Sequence, residues 1–285
     1  MSEPATLRST AGNAATTARP APLSLFGPLN PPLAGWAGLR VWVIGASTGI
    51  GAEIARELLK RGARVALSAR KRELLHEVAN GHADALVAPL DVTDADSVRS
   101  AAATVATRWG GIDFVLVVAG THTEMRAQNW NLADARRLFD INLHGVLHCV
   151  DVALPLLARS DGAQRGIGIV ASVAGYVGLP RALVYGASKA ALINFTESLY
   201  GDLRPQGIGV YLINPGFVDT PLTRRNDFAM PALMRADEAA RATLDGIAAG
   251  RFEIHYPKRF TLWLKLLRLL PYRLQLYAVR KVTGA

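Results

Sequence analysis

Three side chains in the second half of the chain have the types and spacing of a proton-transfer device. Tyr185 lies four residues before Lys189 and thirteen residues after Ser172. Residues four apart on a helix share one face, one turn away from each other. The Lys189 ammonium is therefore expected to favour the phenolate and to lower the pKa of Tyr185 from about 10. Ser172 is expected to hydrogen-bond a substrate oxygen on which charge develops.

The tyrosine and lysine alone are weak evidence of catalysis, because an exposed helical pair of this kind is often only structural. The preceding elements make the prediction more specific. The turn Gly45-Ala-Ser-Thr-Gly-Ile-Gly51 follows a short apolar strand and opens a helix. Gly45 permits a tight turn, Gly49 permits close approach of phosphate, and Gly51 permits close helix–strand packing. The turn, with Ser47, Thr48 and Ile50, is predicted to bind a dinucleotide pyrophosphate.

The end of the second predicted strand bears on the choice of cofactor. An acidic residue there would bind the ribose hydroxyls of NAD, whereas an arginine suits the 2′-phosphate of NADP. Ala69 offers no carboxylate, and Arg70-Lys71-Arg72 offers three cations. We therefore expect NADP(H) to be preferred through Arg70, with NAD(H) as the alternative. A solvated helix start is the competing structural interpretation of these cations.

Apolar strands alternate with helical segments along most of the chain. Strands are predicted at 40–44, 63–68, 85–90, 113–118, 166–171, 208–213 and 252–255. Strands that are apolar throughout indicate a parallel sheet covered on both faces. The predicted fold is a single α/β domain with a doubly wound, Rossmann-type parallel sheet and a ligand crevice at the carboxyl ends of its strands. The predicted organisation is a disordered leader (1–38), this domain (39–256) and a basic amphipathic helical tail (257–285).

Three further segments complete a pattern. They are Leu90-Asp-Val92 after the third strand, Ile141-Asn-Leu143 in a helix and Asn214-Pro-Gly-Phe-Val-Asp-Thr220 after the sixth strand. Together with the glycine turn and Ser172, Tyr185 and Lys189, they resemble the short-chain dehydrogenase/reductase family over about residues 39–256.

The resemblance implies an oxidoreductase that moves hydride between a nicotinamide and a carbonyl or secondary alcohol, with Tyr185 as acid or base. The implied catalytic residues are Asn142, which holds a water in the proton relay, Ser172, Tyr185 and Lys189. The implied cofactor-binding residues are Gly45, Ser47, Thr48, Gly49, Ile50, Gly51, Arg70, Asp91, Val92, Ala119, Gly120, Tyr185, Lys189, Pro215, Gly216, Val218 and Thr220. The alternative is a catalytically silent NADP(H)-binding sensor or scaffold that uses the same fold.

The chain departs from the family pattern at two places. Val117-Val118 stands where the family usually has two asparagines, and the loss of an amide that ties the central strands together is expected to affect local stability more than chemistry. Thr48 stands where many NADP-preferring members carry a basic residue, so the cofactor prediction depends mainly on Arg70.

Composition and charge bear on three other classes of protein, namely nucleic-acid-binding, disulfide-rich and metal-binding proteins. The net charge is +9, but the segment from Arg251 to the end contributes +7 of it. A basic groove for nucleic acid is therefore not indicated. The single Cys149 fits a reducing compartment such as the cytoplasm and excludes a disulfide framework. His144 and His148 have the spacing of zinc ligands but no further ligand cluster, so no metal is expected.

The tail combines Trp263 and many leucines with cations at helical spacing, interrupted near Pro271. Its charges are too frequent for a transmembrane span. It suits an anionic membrane surface, or else packing on the domain or on a partner subunit. Peripheral membrane contact would favour a lipophilic carbonyl or alcohol as substrate. We also expect a homo-oligomer, a dimer or a tetramer.

Overall fold

The computed structural model describes residues 26–225 and 230–283. Seven parallel strands form the central sheet in the order β3-β2-β1-β4-β5-β6-β9. The strands are β1 Arg40–Ile44, β2 Arg64–Ser68, β3 Ala85–Val87, β4 Phe114–Val117, β5 Arg165–Val170, β6 Ile208–Pro215, β7 Val218–Asp219, β8 Met234–Arg235 and β9 Glu253–Tyr256. β7 and β8 pair only with each other. β3 is the edge strand and is shorter than predicted, although Ala88 N and Leu90 N still donate to Leu67 O and Ala69 O.

Helices cover both faces of the sheet, as predicted for a doubly wound fold. They are α1 Gly49–Lys60, α2 Arg72–Ala79, α3 Ala95–Trp109, α4 Leu132–Phe139, α5 Gly145–Arg159, α6 Leu183–Leu203, α7 Ala236–Ala248, α8 Lys258–Arg268 and α9 Tyr272–Thr283. One apolar core lies under α3, α5 and α6, and a second lies under α1, α2 and α7. The strand order runs outward in opposite directions from β1 and β4, so a crevice opens at the carboxyl ends of these two neighbouring parallel strands.

A single turn of π-helix, Asp140–His144, joins α4 to α5. The resulting continuous helix, Leu132–Arg159, is long and apolar enough to cross a membrane by length and composition alone. In the fold, it packs against α3, α6 and the sheet. The π-turn matters for function because such turns often occur at functional sites, and this one contains Asn142.

Part of the predicted leader is packed on the domain. The Asn30 side chain donates to Val210 O at 2.7 Å and accepts from Val210 N at 3.0 Å. β9 begins its pairing with β6 only at Leu212, so Asn30 satisfies backbone groups ahead of it. Trp36 is 4% exposed and packs edge-on against Phe114. Residues 30–38 therefore differ from the predicted disorder, and residues 1–25 lie outside the described part of the chain.

A buried ion pair joins the amino ends of two central strands. Arg40 Nη2 lies 2.7 Å from Asp113 Oδ1, and Arg40 Nε donates to Asp113 Oδ2 at 3.0 Å. Burial alone would raise the pKa of Asp113, but the hydrogen bonds from Arg40 lower it below its usual value. The stability that this carboxylate contributes is present above its unfolded pKa and is lost as the pH falls through its folded value.

Replacing Asp113 by alanine is expected to lower the free energy of unfolding by about 3 kcal/mol, because it leaves the Arg40 charge in a largely buried site. Asp161 provides the matched control, since it contacts the same Arg40 Nη2 at 2.6 Å but is 87% exposed. Urea unfolding should show no shift of the midpoint for Asp161→Ala. Equal effects of the two substitutions would contradict a dominant contribution from the buried pair.

The C-terminal segment folds into α8 and α9 with the break near Pro271 that the sequence predicts. Leu264 and Leu267 of α8 and Val279 of α9 are buried in the core that also contains α5 and α6. The His255 Nδ1 and Thr261 Oγ1 atoms are 2.5 Å apart. One side of the tail therefore packs on the domain.

Candidate active site

A crevice of about 540 Å³ opens at the carboxyl ends of the central strands. Most of the residues predicted to act on cofactor or substrate line it. These are Gly45, Ser47, Thr48, Gly49, Ile50, Gly51, Arg70, Asp91, Val92, Ala119, Gly120, Ser172, Tyr185, Lys189, Pro215, Gly216, Val218 and Thr220. Asn142 is the predicted site residue that does not line it.

The glycine turn leaves no room for side chains at two positions. A Cβ on Gly45, where φ is +99°, would lie 2.5 Å from Ala119 N. A Cβ on Gly51 would lie 2.1 Å from Gly45 O. Thr48 is the N-cap of α1 and makes no side-chain capping bond. The first backbone N–H groups of α1 therefore have no capping side chain as a partner. Helix N-termini bind anions through such N–H groups, and the residues present therefore fit a dinucleotide pyrophosphate.

The next wall of the crevice combines cations with an acid. Arg70 is exposed at the end of β2, next to Lys71. Arg137 of α4 also lines the crevice, and no sequence motif pointed to it, because a helical arginine is normally a solvated one. Asp91 Oδ1 accepts hydrogen bonds from Thr93 N at 3.0 Å and Thr93 Oγ1 at 2.8 Å, which fixes the turn after β3.

Asn142 is fully buried, and its side chain is used inside the fold. Its Oδ1 accepts from Thr121 N at 2.7 Å, and its Nδ2 donates to Thr121 O at 2.9 Å and to Ser188 Oγ at 3.2 Å. Ser188 Oγ in turn donates to Tyr185 O at 2.8 Å. Asn142 therefore fixes the loop after β4 to the helix that carries Tyr185. Its role in a water relay stays a prediction.

The surroundings of Tyr185 differ from the sequence-based expectation. Burial raises the pKa of Tyr185, and its hydrogen bond with Ser172 opposes that rise. Lys189 Nζ lies 5.9 Å from the centre of the Tyr185 ring and donates to Val170 O at 3.0 Å. The pKa of Tyr185 is thus raised, whereas the sequence predicts that Lys189 lowers it, because desolvation by burial is the largest influence on this hydroxyl. Burial also lowers the pKa of Lys189 to about 8.

His122 packs edge-on against the Tyr185 ring, with ring centres 4.8 Å apart. Burial lowers the pKa of His122, so its neutral form is favoured at pH 7. The residue follows Gly120 by two positions, and that closeness to a predicted site residue is the signal that could have identified it. It restricts the ring orientation of Tyr185 from the loop after β4.

Glu253, at the start of β9, joins the catalytic loops to the tail. It accepts hydrogen bonds from the Tyr176 hydroxyl, from Asn214 Nδ2 at 3.0 Å and from Lys265 Nζ of α8. Tyr176 follows Ser172 by four residues, and Asn214 directly precedes Pro215. Burial would raise the pKa of Glu253, but these hydrogen bonds lower it, so the carboxylate is ionised at neutral pH.

The valines that replace the usual asparagines lie at the end of β4. Val117 is buried in the core, and Val118 N donates to Ile44 O at 2.8 Å. Ala119 N donates to the same oxygen at 2.9 Å. Backbone hydrogen bonds thus connect β4 to β1 at this place.

The two histidines with zinc-like spacing have other contacts. His144 Nδ1 lies 3.0 Å from Asp140 Oδ1, and His148 Nδ1 lies 2.9 Å from Val92 O. Among the described residues, no three His, Cys, Asp or Glu side chains group so that they could hold a metal ion. Cys149 is buried, and burial raises the pKa of its thiol to about 12, so it is an unreactive thiol.

Comparison with known proteins agrees with this site. The family model for short chain dehydrogenase matches residues 40–229. An uncharacterized oxidoreductase of Myxococcus xanthus is 35% identical over 234 residues, which cover 80% of this chain and 91% of that protein. The 11-beta-hydroxysteroid dehydrogenase A of Sesamum indicum is 31% identical over 254 residues, covering 81% of this chain and 72% of the relative.

Two solved dehydrogenase structures are also similar to this chain. A short chain dehydrogenase from Burkholderia cenocepacia in complex with NADP superposes with a TM-score of 0.73 at 29% identity, covering 86% of this chain and 98% of that one. A Burkholderia phymatum protein in complex with NAD has a TM-score of 0.75 at 24% identity, covering 82% and 94%. The chain thus belongs to the short-chain dehydrogenase/reductase family and is an oxidoreductase with a nucleotide-cofactor site.

Proposed function

We propose that the protein is an NADPH-dependent carbonyl reductase, or in reverse an alcohol dehydrogenase, with Tyr185 as its acid–base residue. The observation that carries the proposal is the Tyr185 hydroxyl, which lies in the crevice with a hydrogen bond to Ser172. Burial raises its pKa, so it is protonated at neutral pH, as an ordinary tyrosine is. A protonated phenol is the form needed to donate a proton to the oxygen of a reduced carbonyl.

The chain's own residues account for the proton chemistry. The nicotinamide, when bound, supplies or accepts the hydride. Ser172 hydrogen-bonds the substrate oxygen as negative charge develops on it, and Tyr185 Oη gives that oxygen its proton. Lys189 favours the phenolate that remains, since its ammonium is the cation in the site next to the tyrosine. Asn142 fixes the position of the loop after β4 relative to Tyr185.

The preference for NADP(H) rests on the cations at the end of β2. Arg70 and Lys71 line the crevice there, beside Ala69, and no carboxylate lies at that strand end to bind ribose hydroxyls. The Burkholderia cenocepacia relative, which was solved with NADP, supports the same choice. NAD(H) is the weaker alternative.

Replacing Arg70 by alanine is expected to raise the dissociation constant of NADPH about tenfold or more, because one charge-assisted hydrogen bond to phosphate is lost. The affinity for NADH should not change. Arg64→Ala is the control, since Arg64 is also exposed but lies at the opposite end of β2. Tryptophan fluorescence titration of the unmodified chain and of both variants measures the dissociation constants of NADPH and NADH, and a parallel loss of NADH affinity in Arg70→Ala would contradict a specific 2′-phosphate contact.

We infer an apolar or lipid-like substrate. The Sesamum indicum relative is named as a hydroxysteroid dehydrogenase, and the tail of this chain exposes apolar side chains beside the domain. We place the protein in the cytoplasm, with peripheral membrane contact through residues 257–285, and expect a dimer or tetramer of identical subunits. No nucleic-acid partner is proposed.

A panel of ketones, aldehydes and alcohols, assayed by the nicotinamide absorbance, tests this function. At least one apolar ketone should be reduced with NADPH, and replacement of Tyr185 should lower the rate of that reduction. Binding of NADPH without turnover of any member of a broad panel would favour the scaffold or sensor alternative.

A further inference from the structure

α8 is apolar on two opposite faces. Leu264 and Leu267 face the domain and are buried. Leu262, Leu266 and Leu269, spaced by four and three residues, share the other face and are each more than half exposed. A helix that only packed on its domain would present polar residues on this outer side.

α9 extends the exposed apolar surface. Its exposed apolar residues are Tyr272, Leu274, Leu276, Tyr277 and Val282. Helical spacing distributes them over several sides of α9. We call the outer leucines of α8 together with Trp263 the docking face. Tyr272 is 80% exposed, and Leu269 is 81% exposed. Exposed apolar surface of this extent commonly marks an interaction site.

Charge selects the occupant of the docking face. The segment 257–285 contains no acidic residue, and its seven cations are Lys258, Arg259, Lys265, Arg268, Arg273, Arg280 and Lys281. Lys265 is paired with Glu253 of the domain. A second copy of the chain on the same face would bring the other cations of both copies together, which opposes self-association there. An anionic lipid surface attracts the cations and accepts the leucines, and aromatic rings such as Trp263 suit the level of the headgroups.

The docking face is connected to the crevice. Phe260, near the start of α8, packs against Phe217, with ring centres 5.4 Å apart. Its ring also lies beside Gly216, where an added Cβ would be 3.0 Å from Phe260 Cδ1. Gly216 lines the crevice. The loop after β6 is thus held by the first turn of the helix that carries the docking face.

We propose that α8 docks on an anionic membrane surface through the docking face and holds the substrate crevice beside the bilayer. The part that concerns lipophilic substrates rests on the proposed function; the membrane contact itself does not. Cations and apolar side chains then act together, so that binding weakens when salt is raised.

Co-sedimentation of the full chain with phosphatidylcholine vesicles containing about 30% phosphatidylglycerol tests the proposal. Leu266→Glu is expected to lower the partition coefficient about tenfold or more, since it removes a leucine that would be buried in the lipid surface and adds a charge that anionic lipid repels. Leu132→Glu is the matched control, because Leu132 is 51% exposed, as against 52% for Leu266, and lies on α4. It should bind like the unmodified chain.

Unchanged binding of Leu266→Glu would overturn the proposal, as would equal binding to vesicles of phosphatidylcholine alone. Conversion of an oligomer to a smaller species by Leu266→Glu, without an effect on vesicle binding, would assign the face to a second copy and also overturn it. Turnover of a water-soluble ketone should be the same for Leu266→Glu and the unmodified chain. Vesicle binding without any turnover would therefore count against the proposed function alone.

Discussion

Replacing Tyr185 by phenylalanine is expected to lower kcat about a thousandfold, with the dissociation constant of NADPH changed by no more than about twofold. The substitution removes the hydroxyl that hydrogen-bonds Ser172 and leaves the ring, which packs against His122. The site keeps its shape and loses its proton donor. Steady-state rates with NADPH, together with a fluorescence titration of the cofactor, measure the two effects separately.

Tyr200→Phe provides the control for this experiment. The Tyr200 hydroxyl donates to Leu29 O at 2.8 Å, far from the crevice in the fold, and its ring packs against Phe252. Its loss should leave kcat unchanged. Undiminished turnover in Tyr185→Phe would refute the acid–base assignment, whereas loss of cofactor affinity would show that the hydroxyl acts in binding.

Replacing Gly51 by alanine should abolish measurable cofactor binding and lower the stability of the domain. The added Cβ would lie 2.1 Å from Gly45 O and 2.9 Å from Gly45 C, both backbone atoms of the same turn. Backbone cannot move aside as a flexible side chain can, so α1 must shift away from β1. Its N-terminus then no longer presents its amides to the pyrophosphate. Calorimetric titration with NADPH and urea unfolding measure the two consequences.

Gly201→Ala separates this clash from the general effect of adding a methyl group. Gly201 also lies in a helix, α6, but an added Cβ would meet no atom within 4 Å. Alanine there should raise the free energy of unfolding by about 1 kcal/mol, because it favours the helix, and should leave NADPH binding intact. Retained cofactor binding in Gly51→Ala would contradict the proposed role of the turn.

Much of the fold follows from local patterns in the sequence. Short apolar runs such as Phe114–Val117 that alternate with helical segments indicate central parallel strands, and the glycine turn fixes where the first helix begins. The crevice is then placed by topology, because the carboxyl ends of neighbouring parallel strands lie together. The family resemblance implies that residues as distant in the sequence as Gly45 and Thr220 share one site, and both line the crevice.

The features that the sequence did not predict depend on the sum of tertiary contacts. The pKa of Tyr185 is set by burial, which no spacing between Tyr185 and Lys189 reveals. Arg137 reaches the crevice because of the packing of α4. Asn30 falls in the predicted disordered leader because its hydrogen-bond partners cannot be recognised in the sequence. They are backbone groups of β6 that are known to be unpaired only once the position of β9 is known.

The contacts of the Glu253 carboxylate limit which mutations the C-terminal helices can tolerate. It binds a side chain from the serine loop, one from the end of β6 and one from α8. Lys265 therefore neutralises a charge on which the alignment of two catalytic loops depends, although α8 itself contributes no residue to the crevice. Mutations that accumulate in the C-terminal helices are thus not free of selection on turnover. The segment through which we propose membrane contact is therefore under selection together with the active site, and loss of the chain after Tyr256 is expected to lower turnover.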